Sequence, residues 1–480
     1  MITSPNDFAP ARNGALDEQW DVVVIGGGNA ALVSALSARD HGARVLLLER
    51  APRVFRGGNS RHTRNIRCVH DYTDAYYTGR YPYDELWTDL GGVGTGPSNE
   101  ALAALTVRES ETVPRWMTDH GVRWQPALTG TLALARTNRF FLGGGKALMN
   151  GYYRAAERAG IVILYEASVE RLGFTGDACT EIVVRVAQGW RRVRAKAVVC
   201  ASGGFEANID WLRRYWGDAV LNYHVRGPKY NDGTVLAQLL DAGAERAGEE
   251  RGFHAIAVDA RSPKFDGGIA TRLDTIPFGI VVNRDGRRFY DEGEDIWPKR
   301  YAIWGRNIAV QPDQIAYSLW DSKVHGLFLP PMYGVSAARS ISELASRFDL
   351  DPLAVEETVA RYNAAVDRGP GGRFTMAERD DLSTVGLDPP KSNWAQRIDR
   401  PPFYGVAMRP GITFTYLGVA VTEQSHVRRQ DGGVFHNVFA AGEIMSGNIL
   451  STGYLAGFGM TIGTVWGRIA GREAARHARG

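Results

Sequence analysis

Asp21 to Arg50 reads DVVVIGGGNAALVSALSARDHGARVLLLER: strand, glycine turn, helix, strand. Asp21 to Ile25 is a short apolar run rich in β-branched residues, and Ala30 to Arg39 carries helix formers. After Gly42, Arg44 to Leu48 predicts a second strand, closed by Glu49. Within this unit Gly26-x-Gly28-x-x-Ala31 is a dinucleotide fingerprint in its Ala-ending form. Its first glycine allows the tight turn and its second lets backbone approach a pyrophosphate. The small third residue lets helix and strand pack closely, and the helix N-terminus offers unpaired N–H groups to phosphates. Glu49 is placed to accept both hydroxyls of an adenosine ribose. An ordinary βαβ turn carries similar glycines, and the motif alone does not separate FAD from NAD.

A chain of 480 residues predicts two or three domains, and the apolar and charged fractions are those of a globular protein. A net charge of +3 against 56 basic residues excludes a nucleic-acid surface from the expectations. Glycine, at 56 residues, falls in short turns between apolar runs, which predicts repeated close approach of backbone to a ligand. Cys68, Cys179 and Cys200 are far apart and out of metal spacing, so they read as reduced and mostly buried, and no metal site is expected. The leader MITSPNDFAPARNGALDEQW lacks the apolar core of a signal peptide. Ile444 to Gly467 has no charge and the length of a span, but its Gly, Ser, Thr and Asn content fits a loop leading into a buried helix. A soluble, cytoplasmic protein is the expectation.

Arg56, Arg61, Arg64 and Arg67, with His62, crowd the stretch RGGNSRHTRNIR (56–67). Such a loop reads either as a solvated basic surface or as a contact for the cofactor and an anionic substrate, since planar guanidiniums match carboxylates bidentately. Residues 84 to 125 are expected to be mainly helical, 146–159 a helix and 161–166 a strand. Runs at 169–173, 181–187 and 190–194 predict an antiparallel excursion. Ala197 to Ala201 is then a third apolar strand delivering Ser202-Gly203-Gly204 to the carboxyl edge of a parallel sheet. NDGTVLAQLLDAG (231–243) predicts a turn and a capped helix. The character changes near Glu250, so 250–410 is taken as an inserted α+β capping domain, with helices beginning at Pro298 and Pro352. Residues 18–249 and 411–480 form the two parts of a Rossmann-like α/β domain, ending in strands at 418–422 and 434–441. A final helix within 453–475 has small residues that suit close approach to a flat ligand, with its N-terminus near Leu455 to Gly457.

Separated stretches, GGGNAA with Glu49, GGNS, ASGGF, NDGTVLAQLLDAGA and AAGE with the terminal glycine-rich helix, run in one order along nearly the whole chain. In this the sequence resembles the flavoprotein subunit family of fumarate reductases and succinate dehydrogenases. The resemblance implies FAD in the first domain and a cap closing over substrate beside the flavin. It implies FAD contacts at Gly26, Gly28, Asn29, Ala30, Glu49 and Arg50, and at Gly58, Asn59 and Ser60. Further contacts are implied at Ala201, Ser202, Gly203 and Asp232, and at Gly442, Glu443, Leu455 and Ala456. A covalently attached flavin would hang on a histidine where Asn59 stands, so FAD is expected to be non-covalent despite nearby His62.

Within the family the chain is similar to the tricarballylate dehydrogenases through GGNSRHTRNIRC (57–68), RFYDEGEDIWPKRYAIWGR (288–306) and GYLAGFGMTIGTVWGRIAGREAA (453–475). It departs from fumarate reductases, which have His-His-Thr before a Gly-Gly where this chain has Thr413-Phe414-Thr415 before Leu417-Gly418. They also have Arg before a final Leu-Gly-Gly, where Tyr454 precedes Leu455-Ala456-Gly457. The resemblance places the proton-transferring residue at Arg300, one helical turn past the family's spacing, and gives His254, Tyr454, Arg61 and Arg64 as substrate-binding residues. The implied reaction is oxidation of a polycarboxylate, tricarballylate to cis-aconitate, with hydride passing to flavin N5. No iron–sulfur spacing occurs, so electrons are expected to leave through a separate acceptor, and the resemblance implies a membrane iron–sulfur protein and thus a site beside the inner membrane face. A dehydrogenase of neutral rings such as 3-ketosteroids, a fumarate reductase-type enzyme, a cobalamin-pathway flavoprotein and a non-catalytic flavin module fit the same motifs; the arginines of 56–67 speak against the ring substrate.

Overall fold

The computed structural model describes residues 19–93, 96, 98–127, 134–296, 301–376 and 378–480. The opening unit folds as its pattern dictates. Strand β1 (Gln19–Ile25) leads through the glycine turn into helix α1 (Asn29–Asp40) and back into strand β2 (Val45–Leu48). Both strands are near-continuous apolar runs because both faces of a parallel sheet are covered. Three short helices at Tyr83–Gly92, Glu100–Glu109 and Val113–Asp119 follow, where a mainly helical stretch was expected. Helix α2 (Gly144–Arg158) then enters strand β3 (Val162–Leu164).

The antiparallel excursion forms as β4 (Ser168–Thr175), β5 (Ala178–Val186) and β6 (Gly189–Cys200). The runs at 190–194 and 197–201, expected as two strands, are one. Along β6 burial alternates through the hairpin and becomes continuous from Ala197, where the strand enters the parallel core. There it lies beside β1, with Val22 opposite Ala197 and Ile25 opposite Cys200.

A second sheet of six strands stands over the first. It comprises β7 (His224–Val225), β8 (Phe253–Asp259), β9 (Ile280–Asn283), β10 (Ala316–Asp321), β11 (Ser336–Ala338) and the long β12 (Phe403–Thr415), which pairs with four of the others. Segment 250–410 supplies most of this sheet, and the chain just before and just after it adds β7 and the end of β12. A 16-residue helix, Pro352–Asp367, closes its outer core; the expected helix start at Pro298 lies outside the described residues. The chain then returns through β13 (His426–Arg428) and β14 (Val434–Ala440). The first sheet is thereby completed in the order β13-β14-β6-β1-β2-β3, with β4 and β5 appended beside β6.

Helix α3 (Phe458–Arg479) ends the fold and buries a full stripe. Gly463, Gly467 and Gly471 recur every four residues on one face. A methyl on Gly467 would come within 2.8 Å of Ala30 O, and one on Gly471 within 2.8 Å of Ser37 Cβ. These small residues therefore serve the close crossing of α3 on α1 rather than a flat ligand, although Gly459 and Gly463 also reach the cleft wall. Among the described residues no helix is long and apolar enough to cross a membrane, and the uncharged stretch after Ile444 becomes a short 3-10 turn, a loop and the start of α3. The three cysteines are buried and unbridged.

Candidate active site

A cleft runs between the two sheets, lined from the Gly26–Ala30 turn at one end to His254, Arg272 and Tyr301 at the other. One end is built on the opening glycines. Gly26 has φ +122°, and a methyl there would lie 2.8 Å from the carbonyl carbon of Ala201, so only glycine permits the turn against the end of β6. A methyl on Gly27 would lie 2.7 Å from the carboxyl carbon of Glu49. Glu49 is buried; its Oε1 accepts from Ala51 N at 2.7 Å, and Gly57 N and Tyr153 Oη approach Oε2 at 3.4 Å. Burial raises its pKa, against the pull of those donors. Ser60 Oγ accepts from Asn29 N at 3.0 Å, tying the basic loop to the first turn of α1. Arg50 and Asp232 pair across the mouth, beside Ser168 and Tyr230. A glycine cradle that no side chain can fill, with a buried carboxylate at its rim, fits the diphosphate and ribose of a dinucleotide.

The other end lies under the second sheet. Arg226 follows β7 and its backbone N–H donates to Ile412 O at 2.8 Å. Its buried guanidinium donates to Thr413 Oγ1 at 2.9 Å and Gly268 O at 3.4 Å, both uncharged oxygens. Arg272 is paired with Asp274 at 2.6 Å and lies over the Tyr301 ring, 5.1 Å from its centroid. Arg64 completes the set of guanidiniums on this wall. Burial pushes both Arg64 and Arg226 down to about 10, with neighbouring Arg272 adding to the effect, so both remain cationic at neutral pH.

His254 sits on β8 opposite Phe414, where a register shift follows it and turns the strand. Its ring stacks on Tyr454 at 3.9 Å and 6°, and its Nδ1 has no protein partner. Burial, then Arg226, lowers its pKa well below the ordinary value, so the imidazole is neutral. Tyr454 Oη accepts from Gly459 N at 3.2 Å at the start of α3. His62 pairs with Asp266 of the cap; burial and the guanidiniums of Arg226 and Arg61 lower its pKa against that carboxylate's pull.

Of the residues singled out from sequence, the cleft wall holds Gly26, Gly28, Asn29, Ala30, Glu49, Arg50, Gly58, Asn59 and Ser60. It also holds Ala201, Ser202, Gly203, Asp232, Gly442, Glu443, Ala456, Arg64, His254 and Tyr454. Two others stand off it. Arg61 donates to Val54 O at 3.3 Å, lies over Phe55 and approaches Asp266 at 3.9 Å, without lining the cleft. Leu455 is wholly buried in the apolar core, so its side chain is packing. Arg300 lies outside the described residues, although its neighbour Tyr301 lines the cleft. Sequence reasoning missed Arg226, Arg272, Asn231 and Glu206. Arg226 follows a two-residue strand and Arg272 sits in a loop, so neither stood in a motif; Asn231 opens the quoted stretch 231–243 and Glu206 directly follows ASGGF, neither with a signal for its role.

A family model described as an FAD binding domain matches residues 21–459. The NADH:fumarate oxidoreductase of Klebsiella pneumoniae (strain 342) is 27% identical over all of this chain, which spans 50% of that protein. The fumarate reductase (cytochrome) of Shewanella frigidimarina is 25% identical, with 96% of this chain and 77% of that protein covered. In fold, an open-conformation flavocytochrome c3 fumarate reductase matches with a TM-score of 0.74 at 22% identity, covering 97% of this chain and 80% of that one. A 3-ketosteroid-Δ4-(5α)-dehydrogenase from Rhodococcus jostii RHA1 matches equally, TM-score 0.74 at 22% identity, with 96% and 97% covered. The glycine cradle, the buried Glu49 and the near full-length family match agree, and the chain belongs to the FAD-binding-domain family of fumarate reductase and succinate dehydrogenase flavoproteins, oxidoreductases with FAD as cofactor.

Proposed function

We propose that this protein is an FAD-dependent dehydrogenase of a small polycarboxylate, with tricarballylate, oxidised to cis-aconitate, as substrate. The observation that carries it is the group of guanidiniums from Arg64, Arg226 and Arg272 at one end of the FAD cleft, where Arg226 spends its hydrogen bonds on neutral oxygens. Charge-assisted bonds to carboxylates are stronger than those, so an anionic substrate displaces them favourably. When bound, FAD would supply the acceptor for a hydride, that is, for both electrons of the oxidation. The protein's part is to hold the carboxylates, to disperse the enolate-like charge that develops when a proton leaves the carbon beside one, and to exclude water. Arg226 and Arg272 anchor carboxylates, neutral His254 offers Nδ1 to a polar group of the substrate, and Tyr454 with Phe414 walls the carbon chain. Arg300 carries the proton. Electrons leave to a separate acceptor, a membrane iron–sulfur protein in this proposal.

Relatives named fumarate reductase and urocanate reductase favour a second version: the same site reducing an unsaturated carboxylate. Anaerobic titration separates the two. Bleaching of the oxidised flavin by tricarballylate, with cis-aconitate accumulating, is the expected result. A flavin that stays oxidised with tricarballylate, yet is reoxidised by an unsaturated acid after chemical reduction, would turn the proposal to the reductase direction. Bleaching by a neutral steroid alone would remove the polycarboxylate altogether.

A further inference from the structure

Glu206 and Glu443 meet beneath the Gly203-Gly204 turn. Glu206 is wholly buried; its Oε1 accepts from Asn231 Nδ2 at 2.8 Å and from Asn59 Nδ2, and both asparagines belong to the cleft wall. Its Oε2 is reached by no N–H or hydroxyl donor. Glu443, also on the wall, accepts from Thr415 N at 2.9 Å through Oε1. Both carboxyls press on one point: a methyl on Gly204 would collide with Glu443 Oε1 and stand 3.0 Å from Glu206 Oε2. The two carboxyl groups therefore lie on the same side of the Gly204 backbone, and a hydrogen bond between two carboxyl groups requires a proton.

Among the described residues, no cation is recorded paired with either carboxyl group. Arg226 comes towards the pair from β7, but its bond ends on Thr413 Oγ1, whose backbone oxygen accepts from Asn59. From the elements packed against Glu443, the titratable groups are the phenols of Tyr416 and Tyr454, both kept neutral by burial. Burial raises the pKa of both acids, and the charge of Glu206 raises that of Glu443 further. Two such carboxylates cannot both ionise cheaply, and they titrate as one unit.

We propose that Glu206 and Glu443 act as a single proton-sharing acid in the FAD wall, so that cofactor binding is coupled to protonation of the pair. The pyrophosphate of FAD brings negative charge into the same cleft. With one shared proton the pair carries one negative charge; with none it carries two, and the second opposes the cofactor. Where alkaline solvent has removed the shared proton from the free protein, FAD binding draws one proton from water onto the pair. No electron moves and no covalent bond to the cofactor forms. Glu206 is thus a positioning residue, fixing Asn59 and Asn231 and setting the charge beside the cofactor, whichever substrate the enzyme oxidises.

The test is FAD release from the holoprotein, followed by flavin fluorescence between pH 7 and 10. The wild-type dissociation constant is expected to rise with pH, approaching about tenfold per unit where one proton is linked. Glu206→Gln supplies an amide hydrogen to Glu443 in place of the shared proton and fixes one charge. Whatever its affinity at pH 7, its dissociation constant is expected to lose the alkaline slope. Glu443→Gln makes the mirror-image replacement. A flat wild-type profile overturns the proposal, as does a variant that keeps the full slope. Should neither variant fold, the wild-type holoprotein decides by infrared spectroscopy: a protonated-carboxyl band that fades as FAD leaves at alkaline pH supports it, and no such band at pH 7 overturns it.

Discussion

Arg226 shows how one side chain is made ready for an anion. It is buried and cationic, and among the described residues its guanidinium bonds to the neutral oxygens of Thr413 and Gly268; those bonds are worth less than bonds to a carboxylate. Arg226→Met is expected to raise KM for a polycarboxylate by roughly 10- to 100-fold, the range set by about 1.5–3 kcal/mol for a charged hydrogen bond. Flavin content should be unchanged, because Arg226 stands at the far end of the cleft from the Gly26–Gly28 turn. Steady-state kinetics beside a flavin-to-protein absorbance ratio checks both; an unchanged KM with full flavin would remove Arg226 from the substrate end. His254 beside it contributes no charge near neutral pH, since burial holds its imidazole neutral.

At the scale of elements, the α1–α3 crossing sets the position of the glycine turn. Asn29, first residue of α1, donates to Thr464 Oγ1 at 3.0 Å and Met460 O at 3.3 Å, so α3 holds the helix end that follows the glycine turn. Gly471 lets the two helices approach, with Ser37 Cβ and Ala38 N at 2.8 and 2.9 Å from where its methyl would be. Gly471→Val is expected to destabilise the protein by about 1–3 kcal/mol through overpacking. Weaker FAD retention should accompany the loss, seen as a lower melting temperature and more free flavin after gel filtration. Wild-type retention and stability would show that α3 can shift without moving the turn. The glycine spacing was visible in the sequence, but a stripe of small residues serves a ligand or a helix equally well. Only the packing of α1 against it shows which partner it meets.

Across the whole molecule the cap has its own electrostatic support. Lys391 is wholly buried, with its ammonium donating to Pro277 O at 2.8 Å and to Gly279 O, which fastens the long loop before β12 to the second core. Burial pushes its pKa down from 10.5 to about 8. The folded chain therefore holds this proton less tightly than the unfolded chain. Between about pH 8 and 10.5 the unfolded state binds more protons, so the stability of wild type relative to Lys391→Met rises with pH, by about 2 kcal/mol from pH 8 to 10. Well below pH 8 the difference between the two is constant. Urea unfolding of both proteins at three pH values checks the sign; a difference independent of pH would place the titration of Lys391 at its ordinary value.

The sequence by itself determined the elements whose partners are neighbours in the chain. The turn Gly26–Gly28, the apolar β1 and β2, and Glu49 are fixed by local sterics and period, so nucleotide binding was legible from thirty contiguous residues. Asn59, Gly203 and Glu443 were legible through a resemblance of separated motifs in constant order. Only the tertiary structure decided the rest. Arg226 and Arg272 converge with Arg64 across more than 150 positions because the second sheet folds its strands over the first. Glu206 finds Glu443 across more than 200 because β6 and β14 end side by side in register. The same separation explains Arg61 and Leu455: each lies in a stretch that reaches the cleft, yet neighbouring core and loop atoms, invisible in the local pattern, turn their side chains elsewhere. Charge and burial at a site depend on what packs around it, and that environment is a property of three dimensions.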